Sequence, residues 1–432
     1  MHRAAAEFRI RSRKHMQRKA IYWGWYVVFG AFVLMGLNHG TTYCFTIFVK
    51  PITTDLSWSR SAISFAPSIT MIVYGIGGIF SGRLLDRIAP RWVMTFGAVT
   101  LSAALILTGF VREPWHLYLT YGLLGGIGTS CLGAVVGSST VGKWFQRKRG
   151  LAIGIASIGI GIGSMILAPL VGYAVKNWGW PWGFWILGGL VLVLGVVTAQ
   201  TLMGKTRPED YGMYPDGEAP PSHPEQPPPP TTAPGVPMKQ LLRDSQYWIL
   251  SLCFTFALVA QISAFVHQTA FAVELNIDLM QAALLPGYIG LASIGGRFFF
   301  GWLSDRLPDA KYAACLGFVF MAAGVAVLLV AANMNHMVTY ALFFGFGYGC
   351  IAPLMPYLLA DRFGSLVLGA SYGLLTFFVA GIGGSAGAII SGMIYDRFGS
   401  YTAAWWMDLT LLLMAAVLVA TLKPSHLKTN KP

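Results

Sequence analysis

The chain has 432 residues, of which 55% are hydrophobic and only 11% charged, whereas a soluble domain usually carries about 25% charged residues. With a mean hydropathy of +0.60, it reads as an all-α polytopic membrane protein rather than a soluble fold. The formal net charge of +13 calls for no nucleic acid partner, because basic loops facing anionic membrane lipid account for it.

The first ~20 residues are polar and basic and lack a small-residue cleavage site, so no cleavable signal peptide is expected. Beyond this arm (1–20), apolar runs of about 20 residues can cross ~30 Å of hydrocarbon as helices. Six such runs lie near 21–48, 61–81, 92–111, 115–140, 150–175 and 181–202, making an N-terminal bundle over 21–202. Residues 203–245 form a linker whose middle reads PDGEAPPSHPEQPPPPTTAPGVP. Proline lacks the amide N–H and fixes φ, so an extended or disordered tether is expected there. Six more runs lie near 246–272, 280–303, 312–332, 337–360, 367–394 and 402–422, giving a C-terminal bundle over 246–422 and a tail over 423–432. Cys44, Cys131, Cys253, Cys315 and Cys350 all fall in apolar runs without metal-ligand spacing, and read as packing residues.

Twelve spans put both termini on one side. If that side is inside, Lys50, Arg60, Arg112, Lys176 and Arg397 fall outside, Arg297 falls within a span, and every other one of the 30 Lys and Arg residues is inside. Positive charge concentrates on the cytoplasmic side, so cytoplasmic termini and a plasma (inner) membrane location are expected.

The two halves repeat. GRLLDRIAPR (82–91) joins the second and third spans, and GWLSDRLPDAK (301–311) joins the eighth and ninth. Gly82, Asp86 and Arg87 align with Gly301, Asp305 and Arg306 at an offset of 219 residues, and GIGS (161–164) pairs with GIGGS (381–385). Such repeats mark a two-bundle transporter. Asp86, Arg87, Asp305 and Arg306 are expected to gate it, each aspartate capping or pairing at the ends of neighbouring helices. Enzyme chemistry is not expected: H-E-x-x-H, a G-x-x-x-x-G-K-[ST] phosphate loop and C-x-x-C are absent, the eight histidines are dispersed, and no cofactor or metal site is indicated.

GRLLDR and GWLSDR resemble the G-x-x-x-D-R core of the cytoplasmic loop motif of the major facilitator superfamily, although Ala89–Pro90 depart from its usual continuation. The resemblance covers 21–422 and implies two pseudo-symmetric six-helix bundles around a central cavity, a monomer sufficing as functional unit. WGWYVVFGAF (23–32) and VGKWFQRKRGLAIGIASIGIGIGS (141–164) resemble signatures of monocarboxylate transporters. FGFGYGCIAPLMPYLLADRFG (344–364) and GGRFFFGWLSDR (295–306) are more similar to the bacterial oxalate:formate antiporter branch, which implies a prokaryotic carboxylate transporter.

Arg297 is the anomaly within the spans. The repeat places Gly78 opposite it, and Gly78 with Gly82 forms a small-xxx-small packing pair. A charge inside a span costs ~3 kcal/mol on insertion scales unless paired or hydrated. Arg297 lies six residues from the end of its run, and that distance of ~9 Å allows snorkelling to the interface. Alternatively it faces the cavity and binds an anion, since its planar fork matches a carboxylate. The resemblance favours the second, because both transporter groups carry a substrate-binding arginine at the matching position. Related oxalate transporters have a lysine in the eleventh span, whereas here LGASYGLLTFFVAGIGGSAGAII (368–390) has no cation. One cation implies a monoanion such as lactate, pyruvate or formate.

Further cavity candidates are Tyr348, which the resemblance also supports, Tyr121 (with Tyr118 competing), Tyr372, Ser293, Asn38 and His39. Aromatic packing or a helix–helix hydrogen bond is the competing reading for each. His39 and His267 are candidate proton carriers. Animal monocarboxylate transporters have an aspartate one turn before the arginine and a lysine in the first span, where this chain has Ser293 and Tyr43. Asp408, the one acid well inside a span, is expected to be structural. The reading is a proton-coupled monocarboxylate symporter, with a carboxylate antiporter second and a transporter-fold receptor without flux a distant third.

Overall fold

The structure, a computed structural model, describes residues 22–217, 238–282, 284–365 and 368–424. The basic arm, the middle of the linker and most of the tail lie outside these residues. Twelve helices are long and apolar enough to cross a membrane. In the first half they are α1 (Trp23–Leu56), α2 (Arg60–Arg87), α3 (Pro90–Thr108), α4 (Pro114–Trp144), α5 (Arg149–Trp178) and α6 (Trp180–Leu202). In the second half they are α7 (Ser245–Glu274), α8 (Leu285–Arg306), α9 (Lys311–Leu329), α10 (Met334–Phe363), α11 (Leu368–Phe398) and α12 (Thr402–Ala420).

Several starts follow from side chains that satisfy free first-turn amides. Ser59 accepts from the Ala62 amide, Asp244 from Gln246 and Asn333 from His336. Proline stands in the first turn of α3, α4 and α6, where its missing N–H costs nothing. Several helices outrun their apolar runs. α1 continues through Pro51 to Leu56, because the hydrophobic stretch marks the hydrocarbon and not the helix end.

Two apolar cores form. One is built from Val27 to Met203, and the other from Leu241 to Leu422 with Val135 of α4 joining it. The membrane face bearing the Asp86 loop, Tyr22 and Leu422 is here called the base, and the opposite face the mouth. The bundles meet along two seams. On one, Gly78 and Gly82 of α2 pack backbone to backbone on Gly369 and Gly373 of α11. On the other, Gly150 and Gly154 of α5 pack on Gly301 and on the Arg297 carbonyl of α8. No side chain larger than hydrogen fits at Gly82, Gly369, Gly373, Gly150, Gly154 or Gly301, whereas a methyl on Gly78 would make ordinary contact at 3.7 Å. Toward the mouth the same helices are looser: a methyl on Gly172, Gly287 or Gly290 would meet nothing within 4 Å.

The loop aspartates lie at the base of these seams. Asp86 Oδ2 accepts the Ala370 amide at 3.1 Å, in the first turn of α11, while Oδ1 pairs with Lys143 of α4 at 2.8 Å. Asp305 accepts the Gly150 and Leu151 amides of α5, each at 2.9 Å. Arg306 instead lies over Trp302 of its own helix, 4.4 Å from the ring centre. Arg87 lines a shallow surface cavity of about 330 Å³ with Lys205, Arg207 and Asp210.

The start of the linker departs from the expected loose tether. Pro208–Tyr211 and Pro215–Gly217 form tight turns. Asp216, at φ 59°, accepts the Gln146, Arg147 and Lys148 amides at 2.8, 2.8 and 3.2 Å. Tyr211 packs against Trp23 and Trp144. The linker carries a conformation here because its Asp216 carboxylate satisfies the 146–148 backbone and its Tyr211 ring packs on the N-terminal bundle. The five cysteines are free.

Candidate functional site

Two mid-membrane breaks shape the centre. α4 breaks at Gly133, where a methyl would press on Tyr74 of α2 and on the Asn38 amide of α1, 3.0 and 3.1 Å away. α10 breaks after Tyr348, and a methyl on Gly349 would lie 2.6 Å from the Arg297 backbone nitrogen. Glycine thus brings the broken fourth helix of each half against the other helices of the centre, and in the second half it presses directly on Arg297.

Arg297 lies nine residues before the end of α8, ~14 Å along the axis. Its guanidinium crosses the interface between bundles instead of reaching for the membrane surface. Nη1 donates to the Ser157 carbonyl of α5 at 2.8 Å, and Nη2 to the Tyr348 hydroxyl of α10 at 3.3 Å. Gly161 of α5 lies beside Nη1, and a methyl there would make ordinary contact with it at 3.6 Å. Arg297 is 2% exposed, and its Nε has no hydrogen-bond partner. No carboxylate pairs with it among the described residues. A desolvated cation compensated only by neutral dipoles is a strong attractor for an anion.

The first half faces this cation with polar groups of its own. Tyr43 of α1, 46% exposed, lies within electrostatic range of Tyr348, Arg297 and Tyr74. His39, one turn nearer the base, lies within range of Arg297. Its Nδ1 is 3.1 Å from the Met35 carbonyl. A carbonyl can only accept, so Nδ1 carries the hydrogen and Nε2 presents a bare lone pair. Asn38 is buried, with Nδ2 3.5 Å from the His39 ring and Oδ1 unpartnered. Tyr372 of α11 is buried beside Tyr74.

The centre therefore gathers Arg297, Tyr348, His39, Asn38, Tyr43 and Tyr74, with Tyr372 alongside. The other candidates lie elsewhere. Tyr121 packs in the first core, its ring 4.4 Å from that of Phe45 and 6.4 Å from that of Phe184. Tyr118 packs on Phe65. Ser293 spends its hydroxyl on the Gly290 carbonyl of its own helix at 2.7 Å. His267 is engaged at both nitrogens, Nε2 donating to the Ala388 carbonyl at 3.1 Å and Nδ1 lying 3.3 Å from the Tyr401 hydroxyl. Sequence reasoning missed Tyr74, the Ser157 carbonyl and Lys143. Tyr74 lies one turn before Gly78, the repeat position of Arg297, and that spacing was the available signal.

A match to the Major Facilitator Superfamily runs over residues 31–388. The chain belongs to the major facilitator superfamily. Among relatives of this transporter, monocarboxylate transporter 12 of Rattus norvegicus is 28% identical over 423 residues, covering 93% of this chain and 85% of that protein. Monocarboxylate transporter 13 of Bos taurus is 27% identical over 402 residues, covering 93% and 89%. The fold is similar to that of the proton:xylose symporter XylE, with a TM-score of 0.72 at 14% identity over 93% of this chain and 96% of that one. It is also similar to FucP in its outward conformation, with a TM-score of 0.71 at 13% identity over 92% and 99%. This superfamily member is thus a multi-pass membrane transporter and not an enzyme.

Proposed function

We propose that this transporter carries small monocarboxylates, lactate- or pyruvate-like, by proton-coupled symport and alternating access, with Arg297 holding the substrate carboxylate. The observation that carries the reading is the Arg297 guanidinium, buried at the bundle interface without an acidic partner. A singly charged acid neutralises it, and a dianion leaves one charge uncompensated in a low-dielectric site. Tyr348, in contact with the guanidinium, and His39, within range of it, support roles toward the organic end of the acid, Tyr348 as donor and His39 Nε2 as acceptor. The names of the relatives support the substrate class. The positive-inside bias supports a cytoplasmic base, so a structure closed there and looser at the mouth faces outward.

The test is uptake of labelled lactate, pyruvate, formate and oxalate into proteoliposomes, with and without an inward proton gradient, wild type beside Arg297→Ala. Gradient-stimulated uptake of the three monoanions, lost in the variant, is the expected result. Uptake that depends on trans-loaded substrate and ignores the gradient would identify an antiporter, and persistent uptake by Arg297→Ala would remove the site.

A further inference from the structure

Another buried charge-bearing group stands in the C-terminal bundle, on a different helix from Arg297. Asp408 of α12 is fully buried. Its Oδ2 lies 2.5 Å from the Ser263 hydroxyl of α7, and Ser263 lies 2.6 Å from the Ser391 hydroxyl of α11. Its other oxygen, Oδ1, has no partner, and neither has the buried Tyr340 hydroxyl of α10, which lies within electrostatic range. No cation pairs with Asp408 among the described residues.

We propose that Asp408 is a proton-binding site of the transport cycle, wired through Ser263 and Ser391. A bare carboxylate at complete burial, with one hydroxyl donor and no cation, is an uncompensated charge, so the resting group holds a proton. The three oxygens form a reversible line. When Asp408 is ionised, Ser391 donates to Ser263 and Ser263 donates to Oδ2. When Oδ2 takes the Ser263 proton, Ser263 takes one from Ser391, and Ser391 takes one from a hydronium ion reaching it from the mouth, which leaves as water, so that one proton is bound in all.

The surroundings contain proton-capable groups, and the charged groups Glu274 of α7 and Asp396 and Arg397 of α11 stand at the mouth ends of these helices, Glu274 and Asp396 acting on Tyr401. α7 adds His267 one turn from Ser263, α11 adds Tyr395, α10 adds Tyr340, and Tyr401 precedes α12. The titratable groups of α9 (Lys311, Tyr312 and Cys315) all lie near its base end. His267 and Tyr401, joined at 3.3 Å, lie between this cluster and the mouth. Beyond them, Glu274 at the mouth end of α7 contacts Tyr395. The mouth-side position of the line means that a proton taken up there is bound before the base opens.

The inference rests on the symport reading but is tested separately from it. Infrared difference spectra of the full-length protein in lipid, wild type minus Asp408→Asn, should show the carbonyl band of a protonated carboxylic acid at neutral pH. Its absence overturns the proposal whether or not the protein carries lactate. In proteoliposomes, wild type should accumulate lactate about tenfold per unit of pH gradient if one proton accompanies each anion. Asp408→Asn should lose accumulation while keeping exchange against trans-loaded lactate. Accumulation equal to wild type, or loss of exchange as well, overturns the proposal. Ser263→Ala keeps the carboxyl and removes the wire. It should retain the infrared band but slow gradient-driven uptake several-fold, and an unchanged rate counts against the wire. A wild type that neither accumulates nor exchanges lactate would defeat the substrate reading, leaving the infrared result to decide Asp408.

Discussion

Asp305 of α8 accepts the Gly150 amide of α5 across the bundle interface at 2.9 Å. With the Leu151 amide it satisfies two first-turn N–H groups that otherwise need water, and its charge complements the positive end of α5. Gly150 makes the approach possible, since any side chain there would collide with the Gly301 carbonyl and Ser304. Asp305→Ala should cost the closed base about 0.5–2 kcal/mol, the range for a lost helix cap. Amide hydrogen exchange at 149–152 should accelerate to match. Unchanged exchange would show that this cap does not hold the base shut.

The pseudo-symmetric aspartate is held differently. Asp86 pairs with Lys143, whose side chain is only 2% exposed against 15% for Asp86. Removing the acid leaves a buried ammonium, a defect of about 3–5 kcal/mol. Removing the lysine leaves an aspartate that still accepts the Ala370 amide. Asp86→Ala should therefore lower thermal stability more than Lys143→Met, and the double variant should recover part of the loss. Equal single-variant losses with no recovery would argue against a buried pair.

At the centre, Arg297→Lys keeps the charge but loses the fork. One charge-assisted hydrogen bond is worth about 1.5–3 kcal/mol, so substrate affinity should fall by ten- to more than a hundredfold. Tyr348→Phe removes one neutral hydroxyl and should weaken affinity by less than about tenfold. Calorimetric titration with lactate in detergent checks the order. A larger loss in Tyr348→Phe than in Arg297→Lys would shift the anchor from the cation to the phenol.

Asp216→Ala deletes the acceptor of three backbone amides. The expected outcome is faster hydrogen exchange at 146–148 and quicker proteolysis within 205–217. Substrate affinity should stay within about twofold, because surface changes away from a site act weakly. A loss of affinity as large as that of Arg297→Lys would tie the linker to the binding centre.

The twelve spans and the repeat were legible because lipid demands long apolar runs and because two copies of one loop survive at 82–87 and 301–306. Arg297 was legible as the lone cation within a span. The break at Gly133 was not, since it reflects how closely Asn38 and Tyr74 approach, and glycine is common throughout these helices. Tyr348 was legible as a candidate beside Arg297, but the cation's other partner was not: a backbone carbonyl such as that of Ser157 leaves no mark in the sequence. Tyr43 was noticed only as a replacement for lysine, and the structure puts it within electrostatic range of the cation. The hydrophobic pattern locates a helix in the bilayer without saying which of its faces meets which neighbour, so Tyr121 and Tyr348 looked alike until packing separated them.

The Asp216 clamp also changes where one half of the molecule ends. The first fifteen residues after α6 are fastened beneath the N-terminal bundle, so the covalent bridge between halves begins only after Gly217. Two separately translated polypeptides, divided within 218–237, would each keep the contacts within its own half and could restore the rest by reassociating along the glycine seams, as the protomers of a pseudo-dimer do.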